Sequence, residues 1–152
     1  MMLKTHIAIA VFFILIFFLH VSNKLLFPLV VLIVTAIPDI DTGFSTLGKY
    51  KPFKPIQFFT KHRSLMHSFT LCIFVTLVLS LFLPVIAFPF FLAYSLHILT
   101  DSYTIDGIKP FWPSKKVISW KIKTGSTADS ALFFSFVLVD LLVFIFIIKS
   151  IF

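Results

Sequence analysis

The sequence predicts an all-α, multi-pass transmembrane bundle of about five membrane helices, two of them short enough to be re-entrant, with two cytoplasmic loops. Three observations predict it. First, of 152 residues 59% are hydrophobic and only 12% charged, with a mean hydropathy of +1.08, far from the roughly one-quarter charged fraction of soluble domains. Second, 22 residues are Phe; a water-soluble fold of this size would expose many of them as a large sticky patch, whereas lipid accepts them. Third, apolar stretches recur at 7–21, 25–37, 65–83, 85–99 and 131–148, separated by breaks rich in Pro, Lys and Asn. No repeat or low-complexity tract divides the chain, which reads as one membrane-embedded domain over 1–152.

The first stretch follows Lys4 and resembles a secretory signal, but no small-x-small cleavage site lies near His20, Val21 and Ser22, so it is read as retained. The first two stretches hold 15 and 13 residues, about 20 Å of helix against a hydrocarbon layer of about 30 Å. Whether they cross or re-enter as a pair, the chain is back on its starting side by Pro38. The third helix is expected to begin near Ser64, the fourth to close at His97 and Asp101, and the fifth to open at Asp129. Between the last two, the alternation in VISWKIK (117–123) suggests a short two-stranded element. Trp112 and Trp120 suit a membrane interface.

Charge gives the orientation. Lys4, Lys49, Lys51, Lys54, Lys61, Arg63, Lys109, Lys115, Lys116, Lys121 and Lys123 fall on the N-terminal side, and only Lys24 and Lys149 fall opposite. The positive-inside rule then places the N-terminus and two loops, roughly 42–63 and 102–128, in the cytoplasm of a cell-membrane protein, with the C-terminus outside. The net charge of +7 therefore points to lipid headgroups rather than to nucleic acid, which is not expected as a partner. Oligomeric state is not encoded in these signals. All six acids are Asp and none is Glu, which favours helix ends over interiors. Cys72, the single cysteine, can form no internal disulfide and is assigned to packing.

On this topology the ionisable residues converge. His6 opens the first helix, Asp39 and Asp41 close the second, His62 and His67 open the third, His97 and Asp101 close the fourth, and Asp129 opens the fifth. A bundle brings these ends together as four imidazoles and four carboxylates at one membrane face. Imidazole nitrogen and carboxylate oxygen are the donors of zinc and its first-row neighbours, and a cation offsets the cost of burying a carboxylate. The i, i+4 spacing of His97 and Asp101 puts both on one face of a helix. Asp39 and Asp41 follow Pro38, where alternate side chains can point the same way and two carboxylates could bridge two ions. His62 is expected on the loop entering the third helix. Asp129 has a second reading: Ser126 begins an STAD segment that resembles a capping box, so it serves either the site or the cap. His20, at the other face, reads as an interfacial side chain. Asp140, eleven residues beyond Asp129 and about 16 Å deeper, is an intramembrane carboxylate and so a lesser functional candidate.

The segments KTHIAIA (4–10), IPDIDT (37–42), KHRSLMHS (61–68), HILTDSYTIDGIKPFWP (97–113) and KTGSTAD (123–129) resemble, in order and spacing, the YdjM-like family of LexA-regulated, inner-membrane-bound metal-dependent hydrolases. The resemblance covers nearly the whole chain, and the PDxD, HRxxxHS and HxxxD blocks are specific in combination. By matching position it implies His6, Asp39, Asp41, His62, His67, His97 and Asp101 as metal-site residues, with Arg63 and Ser68 beside them. Asp129 stands where Glu is expected in relatives. The LexA connection concerns gene control, not a binding partner. The order of an early His, a PD, a lone His and an HxxxD is also similar, by analogy, to zinc-dependent phospholipase C and related single-strand nucleases, which implies phosphoester chemistry.

The expected function is hydrolysis of a phosphoester at the cytoplasmic face, with a phospholipid or lipid-linked phosphate as substrate. The expected cofactor is a divalent metal in two or more copies, zinc first and manganese or magnesium as alternatives. Metal would activate water for attack, Arg63 would grip phosphate and stabilise developing charge, and Asp129 would orient water or join the metal. The lysine-rich loops would gather anionic lipid. The rival expectations are a metal carrier or sensor without turnover, whose ligands belong near the bilayer midplane, and a structural role for the polar helix ends.

Overall fold

The computed structural model of the chain describes residues 1–41 and 65–151. It contains five α-helices and a 3-10 turn: α1 (Leu3–Phe17), α2 (Leu26–Ala36), the turn Pro38–Asp41, α3 (Phe69–Phe82), α4 (Pro84–Ser102) and α5 (Thr127–Ile151). Local sequence accounts for most boundaries. Asn23 accepts the Leu26 N–H through its side chain at 2.9 Å and starts α2. Pro38, with no N–H and a fixed φ, ends α2 and begins the 3-10 turn. Ser68 caps α3 by accepting the Leu71 N–H at 3.2 Å. The non-helical Leu83 (φ −141°, ψ 61°) breaks the chain before Pro84, which sits in the first turn of α4. Asp129 in the first turn and Lys149 in the last turn of α5 both complement its dipole.

Helix α1 packs on α2, α4 and α5, and α4 packs on α2 and α3. The core lies among α1, α2, α3 and α4, with Val31, Cys72, Ala93 and Ile98 fully buried and Phe27 and Tyr94 nearly so. Ala8, Ala10 and Ala93 line these contacts; small side chains let helix backbones approach closely. Cys72 is free and buried, consistent with packing.

Only α4 and α5 are long and apolar enough to cross a membrane among the described residues. At 15, 11 and 14 residues, α1, α2 and α3 reach roughly 16–22 Å, short of a hydrocarbon layer of about 30 Å. The five expected helices are present among the described residues, and two of them have spanning length. Almost none of α5 is buried within the chain, and Phe134, Leu138 and Phe146 stand on its exposed surface.

Three boundaries differ from expectation. Helix α1 begins at Leu3, so His6 lies inside its first turns. Helix α3 begins at Phe69 rather than near Ser64, because Ser68 takes the cap and leaves His67 on the turn before it. The segment 117–123 forms no strand; instead two isolated bridges pair Thr104 with Ile122 and Ile108 with Ile118. Eleven consecutive exposed residues, 111–121, leave the alternating pattern nothing to pack against, so it does not extend into a sheet.

Candidate metal centre

Four donors arrive from three places in the chain. The 3-10 turn that Pro38 starts carries Asp39, the turn before the Ser68 cap carries His67, and the last turns of α4 carry His97 and Asp101. One ligand atom from each lies within 4.8 Å of the others. His67 Nε2 stands 3.4 Å from Asp101 Oδ2 and 3.9 Å from Asp39 Oδ1. His97 Nε2 stands 3.7 Å from Asp39 Oδ1 and 3.8 Å from Asp101 Oδ2. Ligand atoms about 2.0–2.1 Å from a tetrahedral zinc sit about 3.3 Å from one another, so the four His–Asp distances are within about 0.6 Å of that spacing and the group as a whole would draw in to hold an ion. The side chains of His67, His97 and Asp101 are buried, while that of Asp39 is 17% exposed, so the group opens on the Asp39 side.

The tautomer of His97 fits the same purpose. Its Nδ1 lies 2.7 Å from the carbonyl oxygen of Thr35, and a carbonyl can only accept, so Nδ1 carries the proton and Nε2 presents its lone pair to the cluster. That Nε2 is buried and has no hydrogen-bond partner among the described residues, an expensive state for a polar atom unless a cation takes the lone pair. Two imidazoles with two carboxylates form a donor set suited to zinc and its neighbours.

His6 stands behind this group. Its ring stacks on that of His97 with centroids 4.0 Å apart and planes 6° from parallel. Its Nδ1 is 2.8 Å from Thr100 Oγ1, a hydroxyl also within 2.8 Å of the Leu96 carbonyl and 2.9 Å of the His97 carbonyl. His6 Nε2 faces Asp101 Oδ1 at 3.2 Å, so the ring bridges Thr100 and Asp101 through its two nitrogens. Asp101 therefore divides its oxygens: Oδ2 faces the four-residue group, and Oδ1 faces His6 and pairs with the amine of Met1.

Asp129 lies elsewhere. Fully buried, it accepts the Thr5 hydroxyl at 2.7 Å on Oδ1, and the Gly125 and Met2 N–H groups at 2.9 and 3.1 Å on Oδ2. Its own N–H reaches Ser126 Oγ at 3.4 Å. The structure thus places Asp129 in a clamp that fixes the start of α1, and with it His6, rather than among the four donors. Asp41 ends the 3-10 turn and nothing is described of its side chain; His62 and Arg63 lie outside the described residues. Asp140 lines an apolar groove with Val11, Leu15, Val137, Leu141 and Phe144 between α1 and α5. His20 is exposed beside Ser22 and Asn23.

Several supporting groups escape a sequence reading. The Thr35 carbonyl acts through the backbone and leaves no residue-type signal. The Tyr94 hydroxyl donates to the Met66 carbonyl at 2.6 Å and holds the turn that carries His67. Its spacing was a usable signal, because Tyr94, His97 and Asp101 stand at i, i+3 and i+7 and form one polar stripe on an apolar helix. The start of α3 is held as well, through the Phe69 N–H to the Pro110 carbonyl at 2.8 Å.

No curated protein and no solved structure matches the chain. The profile of the YdjM inner membrane protein family matches residues 1–151, which agrees with the motif resemblance and, with two helices of spanning length, makes this a membrane protein. The chain belongs to the YdjM inner membrane protein family.

Proposed function

We infer that the protein is a membrane-bound metal-dependent hydrolase acting on a phosphoester, a phospholipid or lipid-linked phosphate, at the membrane surface. The observation that carries this reading is the convergence of Asp39, His67, His97 and Asp101 within 4.8 Å. A divalent cation held there, zinc by the chemistry of its donors, would supply Lewis-acid polarisation of a phosphoryl oxygen and a more acidic water. The chain's own residues do the rest. His97, its tautomer set by Thr35, presents a lone pair inward, and His67, its turn held by Tyr94, supplies the second imidazole. Asp101 would join the donors through the oxygen that faces the cluster, while His6 and the amine of Met1 hold its other oxygen in place. Asp39 lies on the open side, where substrate would enter. In this reading Arg63 grips the phosphate, and Asp129 positions α1.

The rival metal carrier would place its ligands near a bilayer midplane with access from both faces. The present donors sit near the C-terminal end of α4 and just before α3, which favours hydrolysis. The test is to supply zinc, manganese or magnesium to the purified protein and screen phosphoesters in lipid micelles. Phosphate release that a chelator abolishes and Asp101→Asn removes supports the hydrolase; stoichiometric metal with no release from any phosphoester supports the carrier.

A further inference from the structure

The segment joining α4 to α5 holds five lysines, Lys109, Lys115, Lys116, Lys121 and Lys123, against one acid, Asp106. Within it, Phe111, Trp112, Val117, Ile118 and Trp120 are all exposed, Trp120 to 64%. In water, large side chains held in the open are unfavourable, yet the segment is built to hold them there. Ile108 and Ile118 exchange both backbone hydrogen bonds at 2.9 Å, and the Trp120 N–H donates to the Thr104 carbonyl at 3.0 Å. Ile108 is buried beneath. Gly107 makes the fold possible: its φ is +62°, and a Cβ there would fall 2.5 Å from the Ile118 carbonyl oxygen.

We propose that this hairpin-like segment is a docking surface for anionic lipid headgroups, with its aromatic and aliphatic side chains in the interface and its lysines on the headgroup charge. Continuity fixes its depth, since it runs from the end of one helix of spanning length to the start of the other and so leaves and re-enters the bilayer at one surface. The composition suits that layer: tryptophan prefers the interface, and lysines beside a membrane are drawn to anionic lipid. Interleaving lysine with apolar side chains gives each lysine an apolar stem to lay along the surface and a charged head to leave in it. The inference is independent of the metal centre and can fail while metal still binds.

Both tryptophans of the chain lie in this segment, so tryptophan emission, excited selectively over tyrosine, reports on it alone. The protein is placed in nanodiscs of phosphatidylcholine, or of phosphatidylcholine with phosphatidylglycerol, and acrylamide quenching is measured. In the anionic discs the emission shifts to the blue and quenching falls at least twofold, and high salt reverses both changes. The variant with Lys115, Lys116, Lys121 and Lys123 all changed to Gln gives in anionic discs the emission of wild type in phosphatidylcholine. Equal quenching in the two lipids overturns the proposal, and so does protection that appears only when a soluble acidic protein is added.

Discussion

His97 donates its Nδ1 proton to the carbonyl of Thr35 at 2.7 Å, so one helix sets the tautomer of an imidazole on another. The contact crosses the α2–α4 packing and fixes which nitrogen faces Asp39 and Asp101. A packing contact thereby becomes a chemical instruction, since only the neutral ring with Nε2 unprotonated can give a lone pair to a cation.

The Tyr94 hydroxyl donates to the Met66 carbonyl and so holds the turn that carries His67. Tyr94→Phe is expected to cost about 0.5–1.5 kcal/mol of stability and to weaken metal affinity about tenfold, as loss of a supporting group around a metal typically does. Isothermal titration of the detergent-solubilised variant with zinc checks it. Unchanged affinity would show that the turn holds without the hydroxyl.

Removing the clamp at Asp129 should separate folding from metal binding. In Asp129→Ala, Thr5, Met2 and Gly125 lose their acceptor, which is expected to lower stability by about 2–3 kcal/mol. The four donors of the cluster keep their own supports, so zinc affinity should change less than in a variant of Asp101. Thermal melts with and without zinc check both halves. A complete loss of binding with little change in stability would instead make Asp129 a ligand.

Protons compete with metal for imidazole. Both His67 and His97 must be neutral to bind, so apparent affinity is expected to fall on acidification, by up to about two decades per pH unit where both rings take up protons. Zinc titrations carried down to the acid limit of the folded protein give the slope, and an affinity that stays level to that limit would contradict imidazole coordination.

Gly107→Ala forces a side chain into a left-handed conformation and against the Ile118 carbonyl. The expected cost is about 1–3 kcal/mol, localised in the segment between α4 and α5. Limited proteolysis should show faster cleavage there while the helices persist by circular dichroism. Protection equal to wild type would mean that the pairing of Ile108 with Ile118 survives.

Much of this architecture was legible in the sequence because lipid imposes coarse rules. Apolar runs located all five helices of the described residues, and Pro38 and Pro84 marked real breaks. The i, i+4 pair His97 and Asp101, the aspartate after Pro38 and the histidine before α3 do meet, since helix ends in a bundle have few places to go. The start of α3 misled because Leu65 and Met66 continue its apolar pattern, whereas the cap at Ser68 decides the boundary through one hydrogen bond. The Asp129 clamp was not legible, only the choice between a site residue and a cap, because its decisive partners, the Met2 N–H and the Thr5 hydroxyl, lie at the far end of the chain. The tautomer of His97 depends on a main-chain carbonyl and could not be read from side chains at all.

Whether Asp39, His67, His97 and Asp101 hold a metal ion is decided by elemental analysis of the purified protein before and after supply of zinc and manganese. Wild type is expected to retain at least one equivalent of metal per chain, while His97→Ala and Asp101→Ala remain folded and bind at least about tenfold more weakly. A folded wild-type protein that takes up no metal under either condition, or variants that retain it fully, would mean that these four residues are not a metal centre.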